Sequence, residues 1–292
     1  MDYNNVEFCD NKVIIEGVKN FDIKQILECG QCFRWKKISD VNYIIVAYRK
    51  VLEVMQEGDT VTLYNTNEQE FKSIWCDYFD LNTDYDVIKE ELIKDPILRD
   101  SIEYGYGIRN LNQERFEILL SFIISARNNI PSIKRTIEKI ASGWGDKIIY
   151  KGETYYAFPT PLQMKDVTED ELRETGASFR SKYLVDTITR VNLYPDKLDY
   201  IASLPDDECH IALQEFKGVG AKVSDCIMFF SMKKTSAFPV DVWVKRAMIH
   251  FYGAEDGSLN KIRIFARDKF GKYAGYAQQY LFYNARENKI NI

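Results

Sequence analysis

Leu213-Gln214-Glu215-Phe216-Lys217-Gly218-Val219-Gly220-Ala221-Lys222-Val223-Ser224-Asp225-Cys226 is the stretch on which the reading of this chain turns. The spacing predicts a helix from about Asp207 to Phe216, a Gly-x-Gly hairpin, and an apolar helix opening near Ala221. Two glycines let the backbone turn tightly and aim its N–H groups outward at a helix N-terminus. Such a nest holds a phosphate oxygen without reading a base. A Gly-x-Gly turn alone is more often plain punctuation between helices, so the neighbours decide. Lys222 sits at the hairpin's exit, and Cys226, four residues on, shares its helix face. Nineteen residues after Lys222 stands Asp241, preceded by Phe238-Pro239-Val240 and followed by the helical pattern Val242 to His250. That position suits a helix cap.

Outward from this motif the pattern is helical. Phe116, Leu119, Leu120, Ile123 and Ile124 share one face of a helix, with Asn112 as its expected cap. Pro131 suits the first position of a helix over 131–142. Thr168-Glu169-Asp170-Glu171 fits a capping box, and Gly176 would end the helix it opens. The helical period is expected to hold from Asn67 to the C-terminal end. The first 65 or so residues differ, with the alternation and β-branching of strands at Val13-Ile14-Ile15, Tyr43 to Tyr48, Val51 to Met55 and Val61 to Tyr64. Glu57-Gly58-Asp59 is the expected turn of an antiparallel meander, and a short helix over 21–28 interrupts it. The fold class is α+β. A sheet domain over 1–105 precedes a helical domain over 106–292, with the boundary near Tyr104-Gly105-Tyr106-Gly107 and the hairpin motif at about 207–232.

Bulk properties exclude several classes. Apolar residues make up 46% of the 292 and aromatics 14%, too much for a disordered chain. The longest apolar run, Ile118 to Ala126, is interrupted by Ser121 and Ser125 and is too short to span a bilayer. Met1-Asp2-Tyr3-Asn4-Asn5 lacks the basic head and apolar body of a signal peptide, so a cytoplasmic protein is expected, nucleoid-associated if the source is a bacterium. Cys29-Gly30-Gln31-Cys32 has the form of a redox or metal site. A zinc site needs two more ligands, and neither His210 nor His250 is spaced to help. No other tight cysteine cluster supports an iron–sulfur centre. No metal is expected.

The net charge of −5 hides an asymmetry. Leu52 to Tyr104 carries fourteen acidic and four basic residues, whereas Lys217 to Arg246 carries six basic and two acidic. A nucleic-acid partner responds to a local basic surface rather than to the total.

Taken together, the hairpin, Lys222 and Phe238-Pro239-Val240-Asp241 resemble the helix–hairpin–helix DNA glycosylase superfamily, and within it the 8-oxoguanine DNA glycosylase/lyase branch. Distant segments agree. Gly30-Gln31-Cys32-Phe33-Arg34-Trp35 is similar to the branch's G-Q-x-F-R-W segment, and Ser125 with Asn128-Asn129-Ile130 to its asparagine-rich loop. Tyr273-Ala274-Gly275-Tyr276-Ala277-Gln278 to Phe282 is similar to its C-terminal Y-A-G-x-A-Q-x-x-x-F helix. The resemblance covers about residues 25 to 282 and implies a TBP-like sheet followed by two helical lobes flanking a DNA cleft. It implies a monomer acting on double-stranded DNA that contains oxidised guanine, with no cofactor.

Residue by residue, the resemblance makes Lys222 the nucleophile and Asp241 the stabiliser of a cationic, sugar-like transition state. A primary amine at the anomeric carbon displaces the base, collapses to a Schiff base and permits β-elimination. The displaced base must first leave the stack. The branch reads the N7 hydrogen of 8-oxoguanine with a backbone carbonyl that maps to Gly30. Its glutamine maps to Gln278 and its stacking phenylalanine to Phe282, and Pro239 is placed in the pocket. Cys226, on the face of Lys222, is either a further pocket wall beside the amine or ordinary core. Gly218 and Gly220 map to the phosphate grip.

Around the estranged base this chain departs from the branch. Arg127 stands for an asparagine, Ser132 for one arginine and Phe179 for a tyrosine wedge, while Arg180 is retained. Trp243 stands where a phosphate-contacting histidine is common, and its indole donates one bond only. Two rival readings remain. An alkyl-purine glycosylase on the same scaffold lacks the lysine, and a non-catalytic DNA-binding module needs neither Lys222 nor Asp241.

Overall fold

Alternating burial builds the front of the chain into one sheet in this computed structural model, which describes residues 1–255 and 257–288. Its strands are β1 (Asn5–Cys9), β2 (Lys12–Glu16), β3 (Trp35–Lys37), β4 (Asn42–Ala47), β5 (Lys50–Glu57) and β6 (Thr60–Tyr64). The order is β1-β2-β6-β5-β4-β3, with every neighbouring pair antiparallel. Val13, Ile15, Tyr43, Ile45, Leu52, Val54, Val61 and Leu63 point to one face and pack with Ile23, Ile26 and Leu27 of helix α1 (Ile23–Glu28).

The expected strands and the α1 helix are present, and β1 and β3 extend them. Both lie on the sheet's edges, where β1 exposes most of its residues and β3 is only three residues long. An exposed or very short edge strand carries little alternation to read.

The expectation of unbroken helix after Asn67 is corrected by a hairpin of β7 (Lys147–Tyr150) and β8 (Glu153–Tyr156). Lys151 and Gly152 turn it with φ of 48° and 78°. Both values are positive, as a tight two-residue hairpin turn requires. Ile148, Tyr150 and Tyr155 cover Ile44, Val46 and Val51 on the second face of the large sheet. This explains why Tyr43 to Ala47 reads as a continuous apolar run: β4 is buried on both sides.

The longer helices that follow are α2 (Tyr85–Leu92), α3 (Pro96–Tyr104), α4 (Arg115–Ser125), α5 (Ile130–Trp144), α6 (Ser181–Leu193), α7 (Lys197–Ser203), α8 (Asp206–Leu213), α9 (Ala221–Ser231), α10 (Val242–Tyr252), α11 (Leu259–Phe270) and α12 (Ala274–Glu287). Asn129 caps α5 through the Ser132 N–H, with Pro131 in its first turn. Thr168 and Glu171 form the reciprocal capping box. Gly176 breaks the helical path there at φ 99°. The cap expected at Asn112 is corrected. Helix α4 starts after Glu114 without a side-chain cap, and the Asn112 amide instead donates to the Asp77 carbonyl at 2.8 Å.

Helices α4 and α9 pack together at the centre of the helical core and are buried along nearly their whole length. Helix α12 packs against α3 and α10. The sheet core and the helical core meet at Gln31, which is fully buried. Its amide donates to the carbonyls of Ile26 (2.9 Å) and Arg109 (2.8 Å) and accepts the Leu111 N–H at 2.8 Å. A buried amide bonded on all these sides pins the segment after α1 to the entry of α4. Among the described residues no helix is long and apolar enough to cross a membrane.

Candidate active site

The hairpin between α8 and α9 is built on Gly218. Its φ is +85°, and a Cβ there would lie 2.8 Å from Tyr183 Cδ2, so conformation and space both demand glycine. Gly220 is different: its φ of −104° suits any residue and a Cβ would meet nothing within 4 Å. Its open face leaves the first turn of α9 accessible.

Lys222 follows in that first turn, half-buried, with Nζ 5.3 Å from the centroid of the Phe122 ring on α4. Cys226 lies one turn further along α9, almost fully buried. Burial pushes its thiol up to about 11, although the charge on Lys222 pulls the other way. The thiol is therefore neutral at physiological pH.

Asp241 reaches the same place from the start of α10. Its Oδ1 accepts the Val244 N–H at 2.8 Å, making it the N-cap expected from its position. Burial lifts its carboxyl above the usual range, while the Val244 N–H and the charge on Lys222 hold it down in part.

The opposite wall comes from the chain's two ends. Gly30 lies just beyond α1, and Gln278 and Phe282 project from α12. A cavity of about 50 Å³ is lined by Gly30, Lys222, Cys226, Pro239, Asp241, Gln278 and Phe282, completed by Phe122, Phe230 and Gln279. All seven residues expected at the catalytic centre and base pocket thus surround one space. Gln278 is 4% exposed, and its Oε1 has no hydrogen-bond partner among the described residues. Phe122, Phe230 and Gln279 were not foreseen. Phe122 sits inside the apolar run of α4 and looks like any core aromatic, and Gln279 differs from Gln278 only by its neighbours.

The residues expected around an opposite base gather elsewhere, at the C-terminal end of α4. Arg127 is exposed and holds a left-handed φ of 53°. Arg180, only 5% exposed, donates from Nε (2.8 Å) and Nη2 (2.5 Å) to the Ala126 carbonyl and from Nη2 to that of Arg127 (3.0 Å). Its guanidinium lies 4.4 Å from the ring centroid of Phe179, which is about half exposed. Asn128 donates to the Ile124 carbonyl at 3.1 Å, Asn129 caps α5, and Ser132 is half-buried in that helix's first turn. Trp243 stands in the first turn of α10, with Arg246 5.6 Å from its ring. Among the described residues no three histidine, cysteine, aspartate or glutamate side chains group as a metal site.

A helix–hairpin–helix that delivers an amine to a carboxylate-capped pocket defines a DNA repair protein of the glycosylase class. Comparisons with known proteins give the family. Residues 13–119 match the 8-oxoguanine DNA glycosylase N-terminal domain, and residues 120–269 match the HhH-GPD superfamily of base excision DNA repair proteins. The chain is 31% identical to a probable N-glycosylase/DNA lyase of Methanothermobacter thermautotrophicus, over 94% of this chain and 96% of that one. It is 28% identical to the N-glycosylase/DNA lyase of Saccharomyces cerevisiae, over 89% and 82% of the two chains. The structure superposes on the 8-oxoguanine glycosylase/lyase of Clostridium acetobutylicum, crystallised with double-stranded DNA containing cytosine opposite 8-oxoguanine. The TM-score is 0.97 at 54% identity, covering 99% of this chain and 100% of that one. The chain belongs to the 8-oxoguanine DNA glycosylase/lyase branch of the HhH-GPD superfamily, and is accordingly a DNA repair enzyme.

Proposed function

We propose that the protein, acting as a monomer on duplex DNA, excises 8-oxoguanine and then cuts the strand at the resulting abasic site. The observation that carries this reading is the cavity shared by Lys222, Asp241 and Gln278, with an amine, a carboxylate and an amide oxygen that has no partner among the described residues around one space.

The flipped nucleotide brings its anomeric carbon to Lys222 Nζ. As the bond from C1′ to the base breaks, the base leaves with the electron pair and takes up a proton. Positive charge on the sugar is met by the Asp241 carboxylate, which its cap bond to α10 holds in place. The amine, having lost its proton, forms the C1′–N bond, and ring opening gives a Schiff base. Loss of a C2′ proton then expels the 3′ phosphate, and water releases Lys222.

In the pocket the Gly30 carbonyl accepts the N7–H that guanine lacks, Gln278 faces the pairing edge and Phe282 stacks on the ring. Cys226 and Pro239 form the remaining wall. At about 50 Å³ the cavity has room for a few waters, so the walls part to admit a purine. Outside it, the N–H groups around Gly218 and Gly220 hold a backbone phosphate, supported by the basic stretch from Lys217 to Arg246. Trp243 adds one indole donor. Arg127 and Phe179 fill the gap left in the duplex, with Asn128, Asn129, Ser132 and Arg180 shaping the loop that carries Arg127.

Borohydride reduction during reaction with a duplex containing 8-oxoguanine tests the reading. A covalent protein–DNA adduct is expected with the damaged duplex and not with the undamaged one. Excision without an adduct would point to the alkyl-purine type of chemistry, and binding alone to a non-catalytic module.

A further inference from the structure

Arg286 lies four residues beyond Phe282 and eight beyond Gln278, on the same face of α12. It does not line the cavity, yet its side chain is only 19% exposed. Its Nη2 donates to the Glu28 carbonyl at 2.7 Å. Glu28 is the last residue of α1, where carbonyls have no partner within the helix. The chain runs from there through Cys29 to Gly30.

The same guanidinium lies against two of the residues that line the pocket, Gly30 and Phe282. A Cβ on Gly30 would lie 3.1 Å from Arg286 Nη1 and 3.3 Å from Phe282 Cε1, so the bare backbone of Gly30 rests against both. Gly30 also holds φ +93°, a conformation that side chains rarely adopt. The guanidinium carbon is 5.2 Å from the centroid of the Phe282 ring. Gln279 adds a second strut, its Nε2 3.4 Å from the Cys29 carbonyl. Nη1 is buried with no hydrogen-bond partner among the described residues. The Glu28 carbonyl, the Glu287 carboxylate (Nε to Oε1, 2.8 Å) and the Phe282 ring therefore set the guanidinium's place, and Nη1 does not.

We propose that Arg286 is a positioning residue for base selection, holding the Gly30 backbone and the Phe282 ring at the separation an oxidised purine requires. This rests on the base-pocket reading above. A carbonyl that must accept one N7–H discriminates only while its direction is kept, and a stacking ring selects a purine only while its distance is kept. Arginine suits the task because its planar fork bonds a carbonyl at one edge while its face meets an aromatic ring. A lysine ammonium is a compact charge and does not do both at once.

The test compares Arg286→Ala and Arg286→Lys with the unmodified protein in two reactions. One is single-turnover excision of 8-oxoguanine. The other is strand cutting at a preformed abasic site, which uses Lys222 but places no base in the pocket. The ratio of the first rate to the second is expected to fall at least tenfold in both variants, because lysine does not rescue the brace. A role in stability alone lowers both reactions together and leaves the ratio intact, and that result would overturn the proposal, as would unchanged rates in both. Should Arg286→Ala not fold, the ratio for Arg286→Lys decides by the same criterion. Failure of the unmodified protein to form a borohydride adduct would instead sink the underlying functional reading.

Discussion

The guanidinium of Arg180 donates to the carbonyl of Arg127 at 3.0 Å, and with its other bonds to Ala126 it caps the C-terminal end of α4. These carbonyls lie just beyond the last helical residue, Ser125, and the guanidinium satisfies them with charge-assisted hydrogen bonds. Held there, it has little left to offer an estranged base, while Arg127 is pushed outward in a left-handed conformation.

This arrangement bears on the choice of opposite base. Ser132 supplies no guanidinium, and a bidentate reader is worth roughly 1–3 kcal/mol of discrimination, about ten- to a hundredfold. Only a modest preference for cytosine over adenine opposite 8-oxoguanine is expected. Ser132→Arg combined with Phe179→Tyr should raise it, mainly by slowing the adenine-paired substrate. Single-turnover excision on four duplexes differing in that one base is the measurement. A thousandfold preference for cytosine in the unmodified protein would refute the argument.

Lys222→Gln should abolish base excision and strand cutting while damaged-DNA binding is largely retained. The side chain is half-buried in the first turn of α9, where glutamine keeps much of its bulk without a nucleophilic amine. Gel-shift binding measured beside cleavage separates the two effects. Cleavage at the unmodified rate would remove Lys222 from the mechanism.

Asp241→Asn should slow excision on the order of 10²-fold or more if the carboxylate is a preorganised stabiliser. Because burial lifts this carboxyl, its charge is lost at a higher pH than an ordinary aspartate's. Excision by the unmodified protein should therefore fall as pH drops through that raised value, and the residual activity of Asp241→Asn should lack this acid limb. A carboxyl raised in the folded state contributes stability below its unfolded pKa that is lost as pH rises through the folded one. Asparagine avoids that loss and caps helices equally well, so melting temperature at neutral pH should not drop. An identical acid limb in both proteins would assign it to another group.

Arg263→Met tests the support beneath α9. Arg263 clasps Asp225 through Nε (2.6 Å) and Nη2 (3.0 Å), and both residues are buried. Removing one partner of a buried pair strands the other charge, at a cost of about 3–5 kcal/mol. Urea unfolding should show that loss, and adding Asp225→Leu should recover most of it. His210, 3.6 Å from Asp225 and 3.3 Å from the Ala221 carbonyl, links the pair to the residue before Lys222. No change in the urea midpoint for Arg263→Met would show the pair to be energetically idle.

Much of the site was legible from sequence because its parts are local. The Gly218 turn, the opening of α9 beside Lys222 and the Asp241 cap each complete their bonds within a few residues, so a short stretch specifies them, as one does the Thr168 capping box elsewhere in the fold. The resemblance supplied what local reading does not, by pairing Gly30 with Gln278 and Phe282. Tertiary structure alone decided the rest. The β7–β8 hairpin earns its place through the sheet face it covers, and Asn112 leaves its expected cap for the Asp77 carbonyl. Arg180 turns to the end of α4 because the carbonyls of Ala126 and Arg127 come within its reach. Arg286 meets the Glu28 carbonyl across 258 residues of sequence. Backbone hydrogen bonds within one turn are written in neighbouring residues, whereas a contact between chain ends exists only once the helices have packed and brought those atoms together.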